Sequence, residues 1–241
     1  MSYFLAFCVI SFIIMWHELG HLLAAKWVGI PVARFSVGFG RKWWSFKRGE
    51  TEYWFSMIPC GGYVLPTYTD PEAFAELPLR TRIVFSLGGP VANVLGAFLG
   101  LSLMDAAQLG FSLQSALFLP LEQIGQITMQ IAAVIPTLFS HPNHLSSIVG
   151  IVAAGGEAVG LDFARLLQFF IVLNLNLAVL NMLPILPLDG GKIVMGLLRA
   201  LYQPLRKLEI PLTVCGWVAL LGLTLYATVH DILRVAHSAL G

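Results

Sequence analysis

Charge is what this sequence has least of. Only 11% of its 241 residues are Asp, Glu, Lys or Arg, against 57% hydrophobic residues and a mean hydropathy of +0.80. An ordinary soluble domain carries about a quarter of its residues as charges, so this scarcity excludes that class and points to an integral membrane protein. Cysteine is nearly as rare. Cys8, Cys60 and Cys215 lie far apart with no CxxC pair, which excludes a disulfide framework and a thiolate metal site and leaves them as expected small buried apolar residues. A basic stretch ahead of the first apolar run is also missing, and WHELGH stands where small residues would mark a cleavage site. The first run therefore reads as a retained span instead of a signal peptide.

Four apolar segments approach the roughly 20 residues that cross a bilayer, at about 3–25, 83–103, 166–188 and 210–229. All of the 14 basic residues except Arg165 and Arg234 fall in the loop between the first and second spans or the loop between the third and fourth. The positive-inside rule places both loops in the cytoplasm and both termini outside. Between residues 113 and 161 the chain is apolar in pieces, broken by Pro120, Glu122, Pro136, His141, Pro142 and Glu157. There Gln123, Gln126 and Gln130 recur at helical spacing, as on a surface-lying amphipathic helix. Because both flanking loops are fixed on one side, extra spans here come only as a pair; four spans are expected, with six as the alternative. On the second span Gly88, Ala92, Gly96 and Gly100 put a small residue at every fourth position, a face that lets neighbouring helices come close in lipid.

One place breaks the apolar pattern. His17, Glu18 and His21, in MWHELGHL, sit inside the first span. Positions i and i+4 of a helix share a face, so both histidines can point at one metal with Glu18 beside it. Ionisable groups at that depth are costly unless bound or paired. A catalytic zinc needs three protein ligands and one open position. His141, His144, His230 and His237 are poor candidates for the third ligand, since each falls towards the external side. Asp189, in NMLPILPLDGG, reaches the same cytoplasmic depth as His21. Pro184 and Pro187 forbid a regular helix just before it, and Gly190 and Gly191 permit a close backbone approach.

HELGH in the first span, with N-x-x-P-x-x-x-L-D-G from Asn181 to Gly190, resembles the site-2 protease family of intramembrane zinc metalloproteases. RFSVGFG, IPCGGYV, GGPVAN and LSSIVGI also resemble family segments and follow the family's order. The resemblance implies that His17, His21 and Asp189 bind one zinc per chain, and that Glu18 is the general base and later the proton donor. Asn176 and Asn181 resemble family asparagines placed near substrate, with interhelical hydrogen bonding as the alternative role. Asn93 reads as a structural residue. Residues 32–64 read as short strands, VARFSVGFG, RKWWSFK and TEYWFSMIP, whose Trp43, Trp44, Tyr53 and Trp54 suit a membrane interface. In the family this region is a membrane-associated sheet whose edge could hold an unwound substrate as an added strand.

Two departures from the family stand out. About 40 residues separate Met104 from Leu145, short of the roughly 50 that an independent domain needs, so no PDZ domain is expected there. LSSIVGI has Ser-Ile where many relatives have Gly-Pro. The whole of 1–241 thus reads as a single polytopic α-helical domain with a small interfacial sheet. The expected activity is a metalloendopeptidase of a bacterial inner (cytoplasmic) membrane, cutting single-pass proteins in or beside their transmembrane helix in regulated intramembrane proteolysis, with membrane lipid as its surroundings and no nucleic-acid partner. An inactive relative that binds transmembrane segments, or a metal transporter using the same cluster, is the alternative. A transporter calls for further ionisable groups along the outer halves of the spans, and the sequence places none there.

Overall fold

The computed structural model describes residues 1–68, 73–74, 76–140 and 147–240. His141, His144 and the first residues of LSSIVGI lie outside these. Helix α1 (Ser2–Trp27) leads into two long strands, β1 (Val32–Arg48) and β2 (Thr51–Pro66). Helices α2 (Leu79–Leu109), α3 (Leu119–Ser140), α4 (Ile148–Val159), α5 (Phe163–Asn181), α6 (Asp189–Leu201) and α7 (Arg206–Leu240) follow. Among the described residues, four helical segments are long and apolar enough to cross a membrane: Ser2–Trp27, Leu79–Leu109, Phe163–Asn181 and Gln203–Leu233. At a rise of about 1.5 Å per residue even the shortest covers most of a hydrocarbon core about 30 Å thick.

Their limits differ from the expected ones in ways that matter for the site. The third span stops at Asn181, because Pro184 and Pro187 forbid its continuation, and Asp189 begins a separate helix. The second span runs on to Leu109 and carries Asp105, which is buried against α3 and takes a bond from Gln123 at 3.4 Å. Asp231 is likewise buried on α7 and accepts from the Ser147 N–H. The outer ends of the helices thus hold carboxylates that the shorter expected spans omit, each tied to a neighbouring element. Cys8 and Cys215 are exposed, contrary to expectation, because they lie on the outward faces of α1 and α7.

The small-residue face of α2 explains its central place. Gly88 lies backbone to backbone against Gly20 of α1; one turn after another, Gly96 then meets Asn174, and Gly100 meets Ile171 of α5. The stripe therefore passes from one neighbour to the other along its length. Ala97 and Leu101 of α2 bury with Ile171 and Leu175 of α5, and Ile124, Ile127 and Ile131 of α3 pack over them. Gln126 and Gln130 stay exposed, so α3 is amphipathic and lies on the bundle.

The sheet consists of two bent strands, where three short ones were expected. Its turn is Gly49–Glu50, and Gly49 has φ +62°, which favours glycine. At Gly38, with φ +87°, β1 bends, so that Arg34–Val37 pairs with Leu65–Gly62 and also lies beside Glu52–Phe55. Val32 and Phe35 bury with Leu22 and Ala25 of α1 and Phe85 of α2, which seats the sheet at the end of α1 nearest His21. Trp43 and Trp44 are exposed, and Arg34 lies over the Trp54 ring.

Candidate metal centre

Helical spacing brings His17 and His21 to one face of α1, where their Nε2 atoms lie 3.2 Å apart. Asp189 arrives as the first residue of α6. Its two following glycines leave no room for a side chain: a Cβ on Gly190 would lie 2.2 Å from the Met182 carbonyl oxygen, and one on Gly191 2.4 Å from that of Ile185. The Leu-Asp-Gly-Gly sequence therefore packs backbone on backbone against the Met182–Pro187 turn, and this fixes where Asp189 points. Asp189 Oδ2 stands 3.3 Å from His17 Nε2 and 3.2 Å from His21 Nε2, and all three side chains are buried.

Hydrogen bonding alone does not account for this triangle. His21 Nδ1 lies 2.8 Å from the Phe85 carbonyl, which can only accept, so Nδ1 carries the proton. The Nε2 of a neutral His21 then turns a lone pair towards a carboxylate oxygen, an arrangement that needs a cation or a second proton between them. Edges of 3.2–3.3 Å also match the separation of about 3.3 Å between tetrahedral ligands that lie about 2.0–2.1 Å from zinc. Two imidazoles, one carboxylate and an adjoining cavity make up the donor set of a catalytic zinc with an open position. The three ligand atoms all lie within 4.8 Å of one another, close enough for one ion to join them.

Around the triangle other residues set orientation. Lys192, one turn into α6, donates to Asp189 Oδ1 at 3.0 Å. Gly89 of α2 lies against both rings: a Cβ there would sit 2.4 Å from His17 Cε1 and 2.5 Å from His21 Nε2. The Asn93 amide reaches His17 Nδ1 at 3.0 Å. None of Lys192, Gly89 or the Phe85 carbonyl stands out by residue type alone. The signals were the i+3 spacing of Lys192 from Asp189 and the four-residue spacing of Gly89 and Asn93 within GGPVAN.

Glu18 and all three candidate ligands line a cavity of about 670 Å³. Asn181 lines it too, and Trp217 and Val214 of α7 form part of its far wall. Asn176 is not among the lining residues; its amide donates to the Val172 carbonyl one turn back, as that of Asn181 does to Leu177. On the sheet side, a Cβ on Gly62 of β2 would touch Glu18 Cγ at 3.6 Å, so β2 runs directly beside the carboxylate. His230 stacks on Tyr226 near the far end of α7, away from this cluster.

A profile of peptidase family M50 matches residues 5–223, nearly the whole chain. The chain belongs to peptidase family M50. A candidate zinc metalloprotease of Nostoc sp. is 34% identical over 144 residues, which are 56% of this M50 chain and 38% of that relative. The zinc metalloprotease RasP of Geobacillus kaustophilus is 47% identical over 70 residues, 27% of this chain and 17% of its own. A candidate zinc metalloprotease of Campylobacter jejuni is 26% identical across 94% of this chain and 92% of its own length. The M50 chain spans less than two fifths of several of the curated relatives it matches.

Proposed function

We propose that this M50 chain is a zinc-dependent endopeptidase that hydrolyses peptide bonds in or beside the transmembrane helix of single-pass membrane proteins. The reading is carried by one observation: His17, His21 and Asp189 meet at a point, with Glu18 on the same cavity, among helices of membrane-spanning length. His17, His21 and Asp189 would hold the zinc, which would supply Lewis acidity for the scissile carbonyl and the attacking water. Glu18 accepts the proton of that water and returns it to the leaving amine. Lys192 keeps Asp189 ionised and aimed. Gly62–Leu65 of β2 pairs with β1 along one side, and beside Glu18 it offers an edge on which an unwound substrate can add as a strand. Asn181, which lines the cavity, is assigned to substrate contact, whereas Asn176, outside the lining, is assigned to holding its own helix.

The distribution of basic residues supports a site near the cytoplasmic face of a bacterial inner membrane, with both termini outside. Cleavage there would free a cytoplasmic fragment, as regulated intramembrane proteolysis requires. Two measurements test the proposal. Elemental analysis of detergent-purified protein should give one zinc per chain, lost or greatly weakened in His21→Ala and in Asp189→Asn. In proteoliposomes a single-pass substrate should be cut by wild type and left intact by Glu18→Gln. Undiminished zinc in Asp189→Asn removes the third ligand from the proposal. A zinc-loaded wild type that cuts no such substrate leaves a metal-binding protein without the activity.

A further inference from the structure

Phe85, Gly89 and Asn93 stand at four-residue intervals on α2, so they form one line along the helix. That line runs past both histidine rings: the Phe85 carbonyl takes the proton of His21 Nδ1, Gly89 leaves the space the rings occupy, and the Asn93 amide meets His17 Nδ1. The two histidines are thereby held by equivalent atoms, but in opposite senses. At His21 the partner accepts. At His17 the Asn93 Nδ2 donor faces Nδ1, which calls for an unprotonated Nδ1 and moves the His17 proton to Nε2. That proton would lie in the triangle with His21 Nε2 and Asp189 Oδ2, where a metal needs a lone pair.

A second observation exposes the conflict. Asn93 is completely buried, and its Oδ1 has no hydrogen-bond partner among the described residues. Oxygen and nitrogen of an amide are nearly equal in size, so a half-turn of the group exchanges them at no steric cost. The exchange places Oδ1 3.0 Å from Nδ1 and carries the NH2 to the position the oxygen leaves, so the contact with His17 alone decides between the two orientations.

We infer that Asn93 is a positioning residue of the metal centre, whose side-chain oxygen accepts the Nδ1 proton of His17 and so fixes the tautomer that turns the Nε2 lone pair to the metal. This rests on the metal-binding reading above and adds to it the residue that makes His17 the equal of His21. Partners that hold the second ring nitrogen of a metal-bound histidine are worth about 10–100-fold in metal affinity.

The test compares wild type, Asn93→Asp and Asn93→Leu in detergent, with zinc affinity measured by competition against a chelating dye and apo-protein melting followed separately. Asn93→Asp keeps an oxygen acceptor and loses the donor, whereas Asn93→Leu keeps only the bulk. The inference expects Asn93→Asp to hold zinc within a few-fold of wild type and Asn93→Leu to lose 10–100-fold, whatever either does to the apo melting temperature. Zinc loss in Asn93→Asp as large as in Asn93→Leu assigns the contact to the amide donor and overturns the inference. Wild-type affinity in both variants overturns it as well. Should Asn93→Leu fail to fold, the ¹⁵N resonances of histidine-labelled, zinc-loaded wild type decide the matter, with the His17 signal identified by its shift in Asn93→Asp. A protonated Nδ1 is expected there, and an unprotonated one is contrary. Absence of zinc from folded wild type instead defeats the metal-binding reading, a failure distinct from any pattern among the variants.

Discussion

Gly89 and Glu18 can be separated experimentally, because one makes room for the proposed metal ligands and the other is the proposed base beside them. In an ordinary helix Gly→Ala stabilises by about 1 kcal/mol. Gly89→Ala should do the reverse for metal, since its methyl carbon would fall 2.4–2.5 Å from ring atoms of both histidines and drive them apart. Expected is a helical protein by circular dichroism whose zinc content has collapsed. Retention of a full zinc complement would mean that α2 can retreat from α1 here, against the backbone contact of Gly88 with Gly20. Glu18→Gln should have the opposite profile, keeping its zinc while turnover falls by about 10²–10⁴, the usual worth of a general base.

At the scale of elements, the loop from Met182 to Leu188 is held from two sides. Gly190 and Gly191 press on it from α6, and Gly216 of α7 comes so close that a Cβ there would lie 1.8 Å from the Leu186 carbonyl oxygen. Gly216→Ala should therefore lower the melting temperature by an amount equivalent to about 1–3 kcal/mol of overpacking, and it should disturb Asp189 through the loop, weakening zinc. An unchanged melting curve would show that α7 does not bear on the loop. Much of this layer is legible in the sequence. The four spans follow from hydropathy, the metal candidates from ionisable residues placed in lipid, and the end of the third helix from Pro184 and Pro187. The sheet is less so: short aromatic segments read as separate strands, whereas Gly38 bends one continuous strand. Least legible are the contacts of ligands with other elements. Nothing in the residue type of Phe85 or Lys192 announces them, because the first acts through its backbone and the second through a spacing that any exposed helix could show. The depth of Asp105 and Asp231 also escapes hydropathy, which sets a span's edge at a charge even where a neighbouring helix covers it.

For the molecule as a whole, α7 is the least buried of the membrane-length helices. Near its start Glu209 pairs with Arg82 of α2 and Arg199 of α6, and towards its far end Asp231 meets the start of α4. Between these it forms the outer wall of the cavity. The proposed orientation puts Glu209 and the hairpin tip in the cytoplasm. A single cysteine at Gly49, in a background lacking Cys8, Cys60 and Cys215, should react with a membrane-impermeant maleimide only after the inner membrane is opened. One at Gly160 should react in intact spheroplasts. The opposite pattern would invert the topology and place the cavity's metal end on the outside.

The proposed ligands also stand far apart in the order of synthesis. His17 and His21 lie on the first of the four membrane-length helices among the described residues, whereas Asp189 follows the third. On the proposed metal reading, a nascent chain that has not yet reached Asp189 carries an incomplete ligand set. Synthesis itself would then delay the proposed chemistry until the third ligand joins the bundle.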